Sequence, residues 1–292
     1  MEVSSILRGM TRDGSARILV INSRKIVDDA IRVHSCAPSA AAALGRALTA
    51  VSMIGCMSGE KEDTVTLGFN GDGQGGRIIV VGNYYGDVKG YIENPAADPP
   101  KKSNGKLDVS AVVGHGIMYI ARDLAGKESQ TGTVEIKSGE IAEDIANYFS
   151  ESEQVPTLCS LGVLVDRDYT CRAAGGVLIQ LLPFADENTI SILERNASEL
   201  TNISRLFERG ASLKEVADIA MRDIPYDLFD EIEVSYHCDC SAERMKKGIR
   251  SLGREKVLEL LDEEEAEGKP RSLTAECRFC NRSYTFTEKE LI

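Results

Sequence analysis

The 292-residue chain is short of positive charge: 34 Lys and Arg stand against 46 Asp and Glu, a formal net charge of −12. That balance repels a phosphate backbone unless a basic patch is segregated somewhere, which argues against a nucleic-acid partner. The first residues, Met1 to Arg17, carry Arg8, Arg12 and Arg17 and no apolar core of a secretory signal, so the chain is expected to be cytoplasmic. A membrane-length run free of charge is missing too. The nearest approach, Ala37 to Met57, has Arg46 at its centre and Ser, Thr and Gly scattered through it. It is expected to be a buried helix of a soluble protein, covered on more than one face.

Catalytic signatures are equally scarce. Gly-x-Ser-x-Gly does not occur, so the commonest serine-hydrolase signature is missing. Gly105-Lys106, Gly126-Lys127 and Gly268-Lys269 are not followed by Ser or Thr, so there is no P-loop and ATP hydrolysis is not indicated. Gly71 to Gly76 has the glycine spacing of a dinucleotide fingerprint, but the run Arg77 to Gly82 behind it reads as a strand, and a hairpin turn is expected instead. His34 and His115 stand alone, without the Cys or carboxylate pattern of a metal site or triad. Cys36, Cys56, Cys159 and Cys171 have no close thiol and mostly apolar neighbours, as buried structural cysteines do. The chain is not read as an enzyme.

What is present is 42% hydrophobic residues with 27% charged, enough for a real core. Up to Pro183 the pattern is α+β. Strands are expected at Arg17–Asn22, Val65–Phe69, Arg77–Gly82, Gly116–Arg122, Thr133–Lys137, Leu161–Asp166 and Thr170–Ala174, from β-branched content and bounding turns. A helix follows Ser138, with Ile141, Ile145 and Tyr148 on one face. Beyond Pro183, Ile190, Leu193, Ala197, Leu200, Ile203 and Phe207 recur at helical spacing, and Ser212 with Glu215 forms a capping box ahead of Val216 and Ile219. These one-sided helices need a surface to lean on. The expected division is an α+β domain over 1–183 with sheets around the small-residue helix, a helical linker over 184–236, and a small domain over 237–292.

Half of the eight cysteines fall in that last segment, as Cys238-Asp239-Cys240 and Cys277-Arg278-Phe279-Cys280. Two thiol pairs separated by a longer segment are how a chain presents four sulfurs to zinc, with Cys238, Cys240, Cys277 and Cys280 as the ligands. A tail of 55 residues buries too little to fold comfortably alone, which is the reason to expect a metal. Zinc holds sulfurs as thiolates, so the site is also oxidisable, and the four cysteines allow three pairings that spacing leaves open. His237 abuts a ligand without a pattern that assigns it a role. From Cys238 to Ile292 there are eleven Lys or Arg against twelve Asp or Glu, too few cations for a nucleic-acid zinc module. Two short helical patterns, Ser241–Leu252 and Gly253–Leu261, and the acidic run Asp262–Glu267 lie between the pairs.

Tyr236-His237-Cys238-Asp239-Cys240-Ser241 and Cys277-Arg278-Phe279-Cys280-Asn281, with the phrases at 44–50, 138–157 and 173–183, make the chain resemble the thirty-three-kilodalton heat-shock chaperone family over essentially its full length. The resemblance implies a redox-regulated holdase: idle when reduced with one zinc on the four cysteines, and active when oxidants drive zinc release and form Cys238–Cys240 and Cys277–Cys280 disulfides. It further implies unfolding of the switch and linker, a homodimer on activation, unfolded client proteins as partners without ATP, and hand-over to the seventy-kilodalton chaperone system. One departure is the interval of thirty-six residues between Cys240 and Cys277, longer than the family's usual one through an insert around Glu263 to Thr274. Two readings from other classes stand beside it: a constitutive zinc-ribbon adaptor, marked by salt-dependent DNA affinity, and a thiol–disulfide oxidoreductase using Cys277 and Cys280, marked by turnover.

Overall fold

The computed structural model describes residues 3–183 and 185–292. Phe184, at the expected boundary between domain and linker, lies outside the described residues, as do Met1 and Glu2. The chain divides into two compact units, Met1–His237 and Cys238–Ile292.

The first unit holds two five-stranded antiparallel sheets. One runs Tyr226–Val234, Ser4–Thr11, Ala16–Asn22, Cys171–Leu181, Thr157–Val165; the other runs Val88–Ile92, Ile78–Asn83, Thr64–Gly71, Gly116–Asp123, Gln130–Glu135. The helix Pro38–Gly55 packs on strands of both sheets, and all its residues but Pro38 and Arg46 are buried. Small side chains allow that: at Gly82 the strand backbone lies so close to Val51 that a Cβ has no room. Arg46 reaches Glu140, with Nη1 2.7 Å from Oε2. No helix among the described residues is long and apolar enough to cross a membrane.

Alternation along the strands decides the layers. In Ala16–Asn22, Leu19 and Ile21 join the apolar cluster around the long helix, while Ile18 and Val20 join a second cluster on the opposite face. That second face is covered by Glu187–Leu200, Ile203–Glu208 and Leu213–Ala220, through Leu193, Leu200, Ile203, Phe207, Val216 and Ala217. The one-sided helices therefore lean on the first sheet, and a strand buried on both faces explains the near-continuous apolar run RILVIN.

Several elements differ from expectation. The amphipathic stretch is two helices, because the chain turns at Thr201–Asn202, where the Ser160 hydroxyl donates to Leu200 O at 2.6 Å. The strand expected to end at Ala174 continues to Leu181. Gly175 is not a breaker; it makes room for the Phe207 ring. Arg24–His34 forms an additional helix, and Ser4–Thr11 and Val88–Ile92 additional strands. Gly71–Gly76 is the turn region of a hairpin. Its Gly73, Gln74 and Gly75 N–H groups donate to Val113, Ala111 and Val112 carbonyls at 3.2, 3.1 and 2.8 Å, so they are committed within the chain rather than to a phosphate.

The second unit is a hairpin, Ser272–Glu276 with Ser283–Thr287, packed with Ala242–Arg250, Arg254–Ala266 and the terminal turn Glu288–Leu291. Its apolar cluster has four buried members: Val257, Leu261, Phe286 and Leu291. The acidic run expected after the second helix is mostly part of it. Arg271, the residue before the hairpin, ties that helix to the terminal turn, with Nη1 2.6 Å from Asp262 and 2.7 Å from Glu265, and Nε 2.9 Å from Glu288.

Candidate metal centre

Each thiol pair sits on a locally fixed segment, the second of them a turn. After Cys238-Asp239-Cys240, the Ser241 hydroxyl accepts from Arg244 N at 3.3 Å and caps the helix Ala242–Arg250. The Arg244 guanidinium returns to the Asp239 carboxylate between the two cysteines. Cys277 to Cys280 occupies the tip of the hairpin, where Cys277 N donates to Arg282 O at 2.9 Å, and Cys280 N and Asn281 N donate to Cys277 O at 3.2 and 2.7 Å. Asn281 has φ of 55°, a left-handed conformation that Asn tolerates better than most residues.

These segments bring all four expected sulfurs together. Cys238 Sγ lies 3.7 Å from Cys277 Sγ, Cys240 Sγ lies 3.4 Å from Cys280 Sγ, and all four lie within 4.8 Å of one another. A tetrahedral ion with bonds of ~2.3 Å has sulfur–sulfur edges of about 3.8 Å, while a disulfide needs ~2.05 Å. The spacing and the all-sulfur donor set fit a zinc-sized ion that joins one pair to the other. Cys277 is buried and the other three are half-buried, so the centre is within reach of small oxidants.

The surroundings tune the sulfurs. Burial works against ionising Cys240, but hydrogen bonds from the Tyr284 hydroxyl and the neighbouring thiols bring it down to about 7. Burial pushes the Cys238 and Cys280 thiols up. Tyr284 Oη sits 3.2 Å from Cys240 Sγ and 3.3 Å from Cys240 O, and it accepts from Arg282 Nη1 at 3.4 Å. Sequence reasoning missed this tyrosine; its only signal is its place on the strand leaving Cys280. His237 is tied through its backbone, its N–H donating to Val88 O at 2.8 Å. Cys36, Cys56 and Cys159 are far less ionisable, with burial pushing each to about 12.

The family model described as "Hsp33 protein" matches residues 4–287. A 33 kDa chaperonin of Clostridium botulinum is 38% identical over 287 residues, covering 98% of this chain and 95% of the relative. One from Clostridium perfringens is 40% identical over 288 residues, covering 98% and 88%. The crystal structure of the 33 kDa chaperonin (heat shock protein 33 homolog) of Thermotoga maritima superposes with a TM-score of 0.89 at 30% identity, covering 99% of this chain and 97% of that one. With a family match that takes in both units and the four-cysteine cluster, the chain belongs to the Hsp33 protein family.

Proposed function

We propose that this Hsp33-type chaperone is a redox-regulated, ATP-independent holdase. It is idle while Cys238, Cys240, Cys277 and Cys280 share a zinc ion, and it holds unfolding proteins once they are oxidised. One observation carries the reading: four thiols from segments thirty-six residues apart converge in a unit whose apolar cluster has only four buried members. Zinc, when bound there, keeps the sulfurs as thiolates and adds an apparent ~10–16 kcal/mol of folding free energy.

Peroxide would act on the sulfurs in two displacements. One thiolate attacks the O–O bond, giving a sulfenic acid and hydroxide, and a second thiolate displaces hydroxide from it to form the disulfide. Each disulfide passes two electrons from sulfur to oxygen and withdraws two donors from the ligand set. Cys238–Cys240 and Cys277–Cys280 close loops of three and four residues, worth only roughly 1.6 and 1.9 kcal/mol. Neither bond links the segment before Ala242–Arg250 to the hairpin, so the tail loses its fold. Unfolding then extends to the outer helical layer, whose apolar faces become available to clients while an acidic surface keeps the complex dissolved. The chain works by binding, not turnover. Activation brings dimerisation in the cytoplasm and hand-over of clients to the seventy-kilodalton chaperone system; the relatives named 33 kDa chaperonins support the chaperone part of the reading.

The test follows zinc, free thiols, hydrophobic dye binding and aggregation of a denatured protein on the same samples, before and after peroxide. Loss of four thiols and one zinc per chain, together with rising dye binding and aggregation suppression, is expected. An oxidised, zinc-free chain that suppresses nothing would overturn the reading.

A further inference from the structure

Cys277 and Cys240 differ in how they are covered. Cys277 is 3% exposed, whereas Cys240 is only half-buried, so burial alone does not keep a molecule the size of peroxide from its sulfur. What stands against that sulfur is the Tyr284 hydroxyl, 3.2 Å away, carried on the strand Ser283–Thr287 behind the other cysteine pair. The Tyr284 ring packs against the apolar cluster of Val257, Leu261, Phe286 and Leu291, which fixes the position of its hydroxyl. Arg282 Nη1 donates to the same oxygen at 3.4 Å. A phenol has one proton to give, and Cys240 O, at 3.3 Å, competes with the sulfur for it. An ionised sulfur is the stronger acceptor. With the cysteines held as thiolates the proton therefore points at Cys240 Sγ, and the guanidinium behind the phenol makes it a better donor.

Oxidation of Cys240 begins when a sulfur lone pair attacks the O–O bond of peroxide: an S–O bond forms, O–O breaks and hydroxide leaves. The Cys238 thiolate then attacks the sulfenic acid; S–S forms, S–O breaks and a second hydroxide leaves, so that the two sulfurs together give two electrons to one peroxide. A lone pair engaged by a hydroxyl proton is withdrawn from the first of these displacements. We propose that Tyr284 is a positioning residue that holds Cys240 back from peroxide and so sets the oxidant dose at which the Cys238–Cys240 pair leaves the centre. This deepens the proposed redox switch and rests on it. Cys277 needs no such hydroxyl, because burial already covers it.

Tyr284→Phe removes the hydroxyl and keeps the ring in its apolar contacts. The reduced, zinc-loaded full chain is exposed to a low dose of peroxide and quenched by alkylation. The initial loss of free thiol is then read separately on the peptide holding Cys238 with Cys240 and on the peptide holding Cys277 with Cys280. The variant is expected to lose the first pair about fivefold faster or more, with the rate of the second changed by less than about twofold. Thr285→Val removes the neighbouring hydroxyl of the same strand, one that lies 2.9 Å from the Thr274 hydroxyl, and is expected to leave both rates as they are. Arg282→Ala is expected to move the ratio of the two rates the same way by a smaller factor, and it carries the test if the Phe variant takes up no zinc. An unchanged ratio in the variant that carries the test overturns the proposal. So does an equal rise at both pairs, or the same shift in Thr285→Val, either of which would make Tyr284 a brace of the hairpin and nothing more. The holdase reading is judged separately on the wild type: an oxidised, zinc-free chain that protects no denatured protein loses that reading whatever the two rates show, and a chain that protects while its ratio ignores Tyr284 loses the present proposal alone.

Discussion

In the first unit the strand Ala16–Asn22 sends Leu19 and Ile21 into one apolar cluster and Ile18 and Val20 into another, so a single strand is held from both sides. In the second unit the strand Ser283–Thr287 places only Phe286 among the buried members of its cluster, while Tyr284 turns its hydroxyl to a cysteine sulfur. The difference is one of what does the holding. Buried apolar area is spread over many residues and fades only when many are disturbed. Four sulfurs sharing an ion, as proposed, are a local fastening that one reagent can undo. The cysteines repeat the contrast, with burial pushing Cys36, Cys56 and Cys159 to about 12 while hydrogen bonds bring Cys240 down to about 7.

Removing the metal from the reduced chain is the largest perturbation this contrast predicts. Residues 238–292 are expected to lose amide-exchange protection, consistent with an apparent contribution of ~10–16 kcal/mol, while the strands and long helix of the first unit keep theirs. Segment-resolved hydrogen exchange with and without a chelator decides it. Protection that persists across Ser272–Thr287 after chelation would mean that the small cluster suffices and the contrast is wrong.

Truncating one core residue in each unit comes next. Leu48 is fully buried in the long helix, and Leu48→Ala is expected to cost about 2–5 kcal/mol of first-unit stability with zinc affinity unchanged. Phe286→Ala removes a member of the four-residue cluster and is expected to cost about 3–5 kcal/mol. On the proposed reading folding and zinc binding are one equilibrium in that unit, so the loss would surface as zinc affinity weaker by about a hundredfold or more. Competition with a zinc-binding dye measures one and urea unfolding the other. Equal zinc affinities in the two variants would break the link between fold and metal.

The same contrast explains what the sequence made legible. The four thiols could be read because their chemistry is local: pairs two and three residues apart announce themselves, and the turns that present them add only short-range bonds such as Cys280 N to Cys277 O. The small-residue helix was equally plain, since little else uses Ala and Gly over that length. What stayed hidden depends on partners far along the chain. Ser4–Thr11 breaks its alternation with a bulge between Leu7 and Gly9 that makes sense only against Tyr226–Val234. Cys171–Leu181 looks interrupted at Gly175 until Phe207 is placed on it. Arg24–His34 begins without a side-chain cap or an acidic first turn, and its helix is fixed by burying Ile26, Val27, Ala30 and Ile31. Tyr284 belongs to the site through a contact forty-four residues away in sequence.

The smallest effect lies at Arg46, the charge that interrupts the long helix. Burial raises the Glu140 carboxyl, but hydrogen bonds from Lys102 and Arg46 outweigh it and hold it below its ordinary 4.5. A carboxyl depressed on folding binds fewer protons folded than unfolded. Its contribution is therefore complete above the unfolded value near 4.5 and is lost as pH falls through the folded one. Glu140→Gln is expected to cost about 1–2 kcal/mol at neutral pH, and the gap between wild type and variant should narrow as pH drops below 4.5. Comparing the two chains at each pH cancels carboxylates common to both, and following exchange only within Met1–His237 keeps acid protonation of the proposed metal-binding thiols out of the reading. A gap that stays constant down to strongly acid pH would show that Glu140 acts through packing rather than charge. In that case even the one ion pair at the middle of the long helix would belong with the diffuse, apolar mode of holding.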